Sequence, residues 1–337
     1  RIKEGELENV MGITYHHILG EVHFVLGNWK ESQIHHSRSI DLCLETGKKR
    51  LVTRSKLKLA MLDDLQGKQK KAIETYEEVL DLSSKYDQFI LRSYALRHLG
   101  TIMYIRGDVD RAEDYYSSAM ELARETRSRE CLANAYFIGS FLCQLKKDLG
   151  KCETQMKAGL RIYSEMGNNS QKLKLMNNLA WLYSLKEDWD RALGLLEEMI
   201  ALSRSIGDFL NKGFGLLNSA DIMIRKGRYD EAESRLNKAY HHFTVLDEHR
   251  MIHSTEHTFA MLYKKKGDVQ KARDYFEKAL SGYEKGEIIN QLPELLFEYA
   301  DMEEKRDDPE KSVVLLKRGL LYARRMKDRM WIERFEG

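Results

Sequence analysis

Proline is nearly absent from this sequence, which has two prolines among 337 residues. Proline interrupts helices and marks turns and linkers, so its scarcity disfavours a chain rich in loops or linkers. Charged residues make up 32% of the chain, a share that favours helix and disfavours sheet. We therefore expect an all-α protein.

A strong net charge and a long apolar run are also missing. The net charge is +2, from 55 basic and 53 acidic residues, so the chain as a whole would not hold a polyanion. No apolar run approaches the roughly 20 residues that a membrane-spanning helix needs. We expect neither nucleic acid nor a membrane as a partner, and we expect a cytoplasmic protein.

Signatures of catalysis are scarce as well. The sequence has no glycine-rich phosphate loop, no nucleophile elbow and no paired-carboxylate signature. The four cysteines, Cys43, Cys131, Cys143 and Cys152, show no C-x-x-C spacing. We interpret them as small core residues in a reducing compartment, without a redox or metal role. The sequence thus predicts no catalytic residue, no metal and no cofactor.

What the sequence does contain is repetition. The segment GDVDRA at 107–112 returns as GDVQKA at 267–272, and related segments recur every 40 residues. The last residue of each segment is small in all eight copies: Ser32, Ala72, Ala112, Cys152, Ala192, Ala232, Ala272 and Ser312. A fixed period of this length predicts a solenoid of stacked units. The units are 8–47, 48–87, 88–127, 128–167, 168–207, 208–247, 248–287 and 288–327, in one domain over 1–337.

Each unit has the pattern of two amphipathic helices joined by a short polar turn. We number each unit so that the small residue above is position 20; position 8 is then also small in every copy. Small residues at both positions let the two helices approach to about 8 Å. Glycine at the end of the first helix allows a left-handed cap, and the following Asp or Asn can cap the second helix.

These positions resemble the pattern of the tetratricopeptide repeat family. The residues that match in the fifth and seventh units are Leu179, Ala180, Tyr183, Ala192, Phe259, Ala260, Tyr263, Ala272, Phe276 and Ala279. The resemblance implies a right-handed α-solenoid, a superhelix of about eight antiparallel helix pairs. The period exceeds the family's usual 34 residues, so we expect helices that are longer by about a turn and a half in total. Such units are similar to those of kinesin light chains, Pins-type polarity scaffolds and MalT-like signalling ATPases.

The resemblance also implies a non-catalytic module that binds a protein, a peptide or a small effector. In arrays of this family, positions 2, 5, 6, 9, 12 and 13 of the first helix line the concave face. The candidates that we select on this face are Arg54, Tyr94, Arg97, Tyr104, Phe137, Phe141, Asn177, Asn178, Trp181, Phe214 and Asn218. Aromatic side chains supply contact area, and asparagine amides can hydrogen-bond a bound backbone. We expect the sensor or partner-recruiting region of a signalling or regulatory protein.

Charge along this face is uneven. The second unit carries Arg54 and Lys58, whereas the eighth carries acidic residues, namely Glu294, Glu298, Asp301 and Glu304. A partner with acidic residues towards its amino end and basic residues towards its carboxyl end would be steered into register. Exposed helices, however, often carry charges without such a role. The segments RIKEGEL at 1–7 and RMWIERFEG at 329–337 fall where neighbouring units would end and begin. We expect a piece of a longer protein.

Other interpretations stay open. The aromatic residues could pack inside a narrow superhelix, which would make the chain an architectural spacer, or line the sensor of a small effector. Binding of RNA by a helical repeat would require strong, salt-sensitive affinity, against which the near-neutral charge argues.

Histidine motifs leave a further possibility. The motif HSTEH at 253–257 fits the H-x-x-E-H pattern of inverted zinc metallopeptidases, but no further ligand can be assigned. The repeat already requires an ordinary first helix there, so we interpret these histidines as solvated or groove-facing residues. Three histidine doublets also occur: His16-His17, His35-His36 and His241-His242. Adjacent helical residues point in different directions and cannot chelate together, so we interpret the doublets as packing or surface residues.

Overall fold

The computed structural model describes residues 4–145, 148–305 and 308–336, with side chains from residue 9 onward except 144–147. These residues form seventeen α-helices, one turn of 3-10 helix (Ile289–Gln291) and no strand. The helices are α1 (Glu4–Val25), α2 (Trp29–Glu45), α3 (Lys49–Leu65), α4 (Gln69–Lys85), α5 (Phe89–Ile105), α6 (Val109–Thr126), α7 (Arg129–Leu145), α8 (Leu149–Glu165), α9 (Asn169–Leu185), α10 (Trp189–Ser205), α11 (Phe209–Arg225), α12 (Tyr229–Val245), α13 (His249–Lys266), α14 (Val269–Lys285), α15 (Leu292–Glu304), α16 (Pro309–Arg325) and α17 (Arg329–Glu336). The all-α solenoid is confirmed, and its consecutive antiparallel pairs wind into a right-handed superhelix.

Every turn in the described chain uses a residue with left-handed backbone, and these residues recur every 20 positions. They are Gly27, Gly47, Gly67, Asp87, Gly107, Arg127, Gly167, Glu187, Gly207, Gly227, Asp247, Gly267, Glu287 and Lys327. Gly107, for example, has φ +74°, and the next N–H, of Asp108, donates to the carbonyl of Met103 at 2.8 Å. This closure satisfies carbonyls that the helix leaves free. The predicted cap is confirmed after the first helix of a pair, and the structure adds the same cap after the second.

Aspartate begins most of the second helices. The side chains that accept the hydrogen bond of the first-turn N–H there belong to Asp108, Asp148, Asp188, Asp268 and Asp308. The prediction is wrong for Asn28, which precedes α2 without making a side-chain cap. The same device also begins α9 and α11, through Asn168 and Asp208.

The small residues lie where the two helices of each pair meet. All sixteen residues at positions 8 and 20 are buried, including Gly20 and Ser32 in the first pair. There the Ser32 hydroxyl donates to the Gly20 carbonyl at 2.8 Å, which reports how closely the two helices approach. The repeat positions assigned from the sequence, which we call the frame, are therefore the positions at which the helices pack.

The superhelix winds tightly enough for helix pairs that are far apart in the chain to touch. Trp29 and Leu62 share an apolar cluster with Leu246, and a Cβ on Gly27 would collide with the Leu246 side chain. At a second contact, Arg106 pairs with Glu287 at 2.8 Å between Nη2 and Oε2. Lys327 pairs with Asp110 at 2.5 Å, across 217 residues of chain. These contacts join segments about 180–220 residues apart, and the first helices enclose a central space.

The cysteines differ from the sequence-based expectation in one respect. All four are buried, but Cys143 of α7 and Cys152 of α8 form a disulfide instead of remaining free thiols. The bond joins the two helices of the fourth pair, whose helix-crossing position 20 is Cys152 itself. Cys43 and Cys131 are free and buried, as expected for small core residues.

Candidate functional site

A cavity of about 630 Å³ occupies the centre of the superhelix. Side chains of α1, α3, α5, α7, α9, α11 and α13 line it, together with residues at the start of α15. Nine of the eleven candidate residues lie on its surface: Arg97, Tyr104, Phe137, Phe141, Asn177, Asn178, Trp181, Phe214 and Asn218. The pattern of first-helix positions thus leads to the concave surface, although ligand binding by these residues stays a prediction.

Aromatic rings form one side of the cavity, which we call the aromatic wall: Tyr104, Phe137, Phe141, Trp181 and Phe214. Tyr104 stacks on Phe141 with ring centroids 5.2 Å apart, and Phe137 meets Phe141 edge-on at 5.6 Å. Trp181 is 39% exposed, an unusual exposure for tryptophan on a surface that no neighbouring helix covers. The aromatic wall therefore combines rings fixed by packing with one ring open to a ligand.

Arg97 is held at the edge of this wall. Its guanidinium lies over the rings of Tyr94 and Phe137, at 4.9 and 5.0 Å from their centroids. It also donates to the Gln171 side chain and contacts His98 Nε2 at 3.0 Å. Only 2% of Arg97 is exposed, so the charge is positioned by the scaffold and presents one edge to the cavity.

The three asparagines are partly engaged with the protein. Asn218 Nδ2 donates to Asn177 Oδ1 at 2.6 Å, which links α11 to α9. Asn178 Nδ2 contacts Ser140 Oγ at 3.5 Å. Each amide has further donor or acceptor capacity, so these residues can still hydrogen-bond a ligand in the cavity.

Two candidates lie away from the cavity lining. Arg54 is exposed, and Tyr94 donates its hydroxyl to Glu130 Oε1 at 2.7 Å. Three of the six charged residues that define the uneven charge are also paired within the protein. Lys58 contacts Glu21 at 2.8 Å, and Lys264 contacts both Glu298 and Asp301 at 2.7 Å. These ion pairs satisfy charges that the sequence had suggested for a partner.

Polar side chains outside the eleven candidates also line the cavity, and we call them the polar wall. In each, one buried atom has no hydrogen-bond partner within the described structure: Asp64 Oδ1, Asn211 Oδ1, Arg250 Nε, His257 Nε2 and Asn290 Oδ1. Buried polar atoms are normally paired, so a set of unpaired ones around a cavity indicates a place for a ligand or water.

Part of this wall was accessible to sequence reasoning. Asp64 and His257 occupy positions 12 and 5 of their units, which belong to the concave set. Asn211, Arg250 and Asn290 precede position 1, in the extension by which these units exceed the family's usual length. No family position describes that extension, so no pattern could have selected them.

Two ionisable groups of the cavity titrate close to neutral pH. Burial, aided by the nearby Arg97 guanidinium, lowers the pKa of Lys174 to about 7. Burial, aided by the Asp221 carboxylate and opposed by Arg225, raises the pKa of Glu294 to about 7. Binding of a charged ligand would therefore be accompanied by proton uptake or release at these groups.

The motif HSTEH does not assemble a metal centre. His253 Nδ1 contacts Glu256 Oε2 at 2.9 Å, whereas His257 packs against the rings of Phe276 and Tyr283. In the parts of the chain that the structure covers, no further His, Cys, Asp or Glu completes a three-ligand group with them. In the same parts, no helix is both long and apolar enough to cross a membrane.

Sequence models of known families match several parts of the chain. Two models of the tetratricopeptide repeat match residues 10–85 and 215–285, and residues 175–208, and together these segments cover more than half of the chain. A model of anaphase-promoting complex subunit 5 matches residues 81–149. No curated protein sequence matches the chain.

Solved structures share its fold. A Rap protein complexed with competence and sporulation factor is 12% identical, with a TM-score of 0.66 over 95% of this chain and 99% of that one. The Rap conjugation gene regulator of the plasmid pLS20, in complex with the Phr* peptide, is 13% identical, with a TM-score of 0.65 over 91% and 96%.

A third structure is a signal transduction ATPase with numerous domains from Pyrococcus horikoshii, which has a tetratricopeptide repeat sensor. It is 13% identical, with a TM-score of 0.51 over 90% of this chain and 46% of that one. With the repeat frame, the helix pairs and the family matches in agreement, the chain belongs to the tetratricopeptide repeat family.

Proposed function

We propose that the central cavity binds a short peptide, and that the chain is the sensor or partner-recruiting region of a regulatory protein. The observation that carries this proposal is the presence of two unlike sets of side chains around one cavity. The aromatic wall offers contact area, and the polar wall offers buried donor and acceptor atoms that have no hydrogen-bond partner among the described residues. A peptide supplies both apolar side chains and backbone N–H and C=O groups.

The size of the cavity favours a small ligand over a folded partner. A volume of about 630 Å³ falls within the range of about 300–1,000 Å³ that is typical of small-molecule sites. Contacts between helix pairs far apart in the chain, such as Arg106 with Glu287, limit access for a larger body. Peptide complexes of two structural relatives, with competence and sporulation factor and with the Phr* peptide, agree with this assignment.

A small effector is the second candidate, and the titrating groups of the cavity support it. Lys174 and Glu294 can adjust the charge of the cavity to that of a compact ionic ligand. The sensor region named for the Pyrococcus horikoshii ATPase provides a structural precedent of the same fold.

Selection from a library of short linear peptides tests the proposal. We expect enriched sequences to bind the unmodified chain, and to bind a Phe141→Ala, Trp181→Ala variant at least about tenfold more weakly, because the aromatic contact area is lost. Phe89→Ala is the matched control, since Phe89 is exposed outside the cavity and its loss should leave binding unchanged.

The alternatives give different results. A thermal-shift screen of charged metabolites that stabilises the chain, with no peptide enriched, would assign the cavity to a small effector. No enrichment in either experiment would support the architectural spacer, whereas equal peptide binding by the double variant would show that the peptide binds away from the aromatic wall. Helicity and melting temperature of each variant, measured by circular dichroism, ensure that lost binding does not reflect unfolding.

A further inference from the structure

The first helix pair brings two histidines and a glutamate together, away from the polar wall. His17 and Glu21 lie one turn apart on α1, and His36 faces them from α2. One nitrogen of each histidine and one oxygen of Glu21 lie within 4.8 Å of one another, and His36 Nε2 is 3.8 Å from Glu21 Oε1. Each histidine comes from a different doublet, so the argument that a doublet cannot chelate does not apply to this combination.

His36 departs from the packing frame of the repeat. It occupies position 24, where the other seven units have apolar or aromatic residues: Tyr76, Tyr116, Met156, Leu196, Leu236, Phe276 and Leu316. Its side chain is fully buried, yet neither ring nitrogen has a hydrogen-bond partner in the described structure. Buried polar atoms are normally paired, so packing alone does not explain an unpaired imidazole at this position.

A chain of hydrogen bonds determines which nitrogen of His17 is free. The Ser39 hydroxyl donates to the Ile13 carbonyl at 3.2 Å, and the Ser55 hydroxyl donates to Ser39 Oγ at 3.1 Å. Ser55 Oγ therefore accepts from His17 Nδ1, at 3.1 Å. The proton lies on Nδ1, and Nε2 carries the lone pair. Metal-binding histidines are commonly oriented in this way by a partner on the other nitrogen.

The backbone leaves space for the imidazole of His36. A Cβ on Gly20 would lie 2.7 Å from two atoms of that ring, so only glycine at this position allows the ring to face His17 and Glu21. Glu21 is oriented by Lys58, whose ammonium contacts Oε2 at 2.8 Å and leaves Oε1 directed at His36. The space at Gly20 and the Lys58 contact thus orient His36 and Glu21, and they leave the metal-binding atoms of both side chains free.

We propose that His17, Glu21 and His36 bind one divalent transition-metal ion, and that zinc is the chemical fit. Two imidazoles and one carboxylate are a common zinc ligand set, which leaves a fourth position for water. With bonds of about 2.0–2.1 Å, tetrahedral ligand atoms lie about 3.4 Å apart, so small side-chain rotations close the present spacing. The ion would join α1 to α2 and stabilise a pair whose shared core is otherwise small.

Metal titration of the full chain tests this site. After treatment with a chelator, Zn²⁺ is titrated by calorimetry and Co²⁺ by its visible absorption, with the melting temperature measured at each ratio. We expect one equivalent to bind and the melting temperature to rise, because an ion that binds only the folded state stabilises it. His17→Gln with Glu21→Gln should weaken binding by at least about a hundredfold, since it removes two of three ligands.

Two further variants separate this site from its surroundings. His16→Gln with His35→Gln is the matched control, because those rings contact each other at 2.9 Å between Nδ1 atoms but lie outside the ligand group. His36→Leu introduces the leucine that other units have at position 24, so the variant should fold but should not bind the metal. Absence of stoichiometric binding, retained binding in the ligand variants, or an equal loss in the control would overturn the proposal.

Discussion

The first and seventh helix pairs have the same frame and bury different chemistry. In both, position 5 is a histidine that faces the residue at position 24 of the next helix. His17 meets His36 with ring centroids 5.3 Å apart, and His257 meets Phe276 at 6.3 Å. Around Phe276 the core is aromatic, with the Tyr299 ring stacked at 4.8 Å, whereas around His36 the buried residues are mostly small and polar.

This difference shows what a repeat determines. The frame decides which positions are neighbours, because small residues at positions 8 and 20 set the approach of the two helices. It does not decide what those neighbours are chemically. One unit can therefore use the contact between positions 5 and 24 for packing, and another can use it for a polar ligand group, without any change in the backbone.

The largest expected effect is at Phe276. Replacing this fully buried ring by alanine should lower the free energy of unfolding by about 3–5 kcal/mol, through lost burial and the cavity left behind. His36→Ala, in protein freed of metal, should lower it by less than half as much, because two unpaired nitrogens are removed as well. Chemical denaturation measures both, and equal losses would contradict the comparison.

The next effect concerns the pH dependence of the seventh pair. Burial lowers the pKa of His257 to about 4, although the Glu298 carboxylate acts in the opposite direction. The folded state therefore resists protonation between pH 6.5 and 4 while the unfolded chain accepts it, so stability held at neutral pH is lost as the pH falls. In the His257→Leu variant the free energy of unfolding should fall less steeply as the pH is lowered, by up to about 1.4 kcal/mol for each pH unit.

Denaturation curves at pH 7, 6, 5 and 4 measure that slope. His249→Gln is the control, because the side chain of His249 is 53% exposed whereas that of His257 is buried. A variant at His257 that keeps the full slope of the unmodified chain would show that this histidine is not held neutral.

A smaller and opposite effect is expected in the first pair. His36→Leu should raise the free energy of unfolding of the metal-free protein by about 1–2 kcal/mol, because it replaces two unpaired buried nitrogens with apolar surface. In the presence of Zn²⁺ the unmodified chain should be more stable than His36→Leu, since only the unmodified chain gains the binding free energy. Destabilisation by His36→Leu without metal would mean that the imidazole is a packing residue of the first pair.

The smallest difference lies in the turns of the same two pairs. Asp268 accepts from the Lys271 N–H at 3.2 Å at the start of α14, whereas Asn28 makes no such bond at the start of α2. Asp268→Ala should lower the free energy of unfolding by about 1 kcal/mol, and Asn28→Ala by no more than a few tenths. Thermal and chemical denaturation of both variants measure this, and a larger loss at Asn28 would reverse the expected order.

Sequence reasoning predicted the fold more completely than the candidate site. Amphipathic periodicity, small residues at the crossing and turn residues all act within one unit, and eight copies repeat the same signal. It selected nine residues of the cavity lining because first-helix positions of a solenoid face inward. It missed Asn211, Arg250 and Asn290, since these precede the positions that the family pattern describes, and it did not foresee the disulfide of Cys143.

By itself, the sequence determined the helix pairs, their caps and their close crossings, because those features depend on interactions within 40 residues of chain. Only the tertiary structure decided how tightly the pairs wind. A small rotation between neighbouring units accumulates over the array, so the contact of Gly27 with Leu246 or of Lys327 with Asp110 has no local signal. That accumulated rotation closes the superhelix and brings the aromatic wall and the polar wall around one space. It thereby turns an open concave face into a cavity.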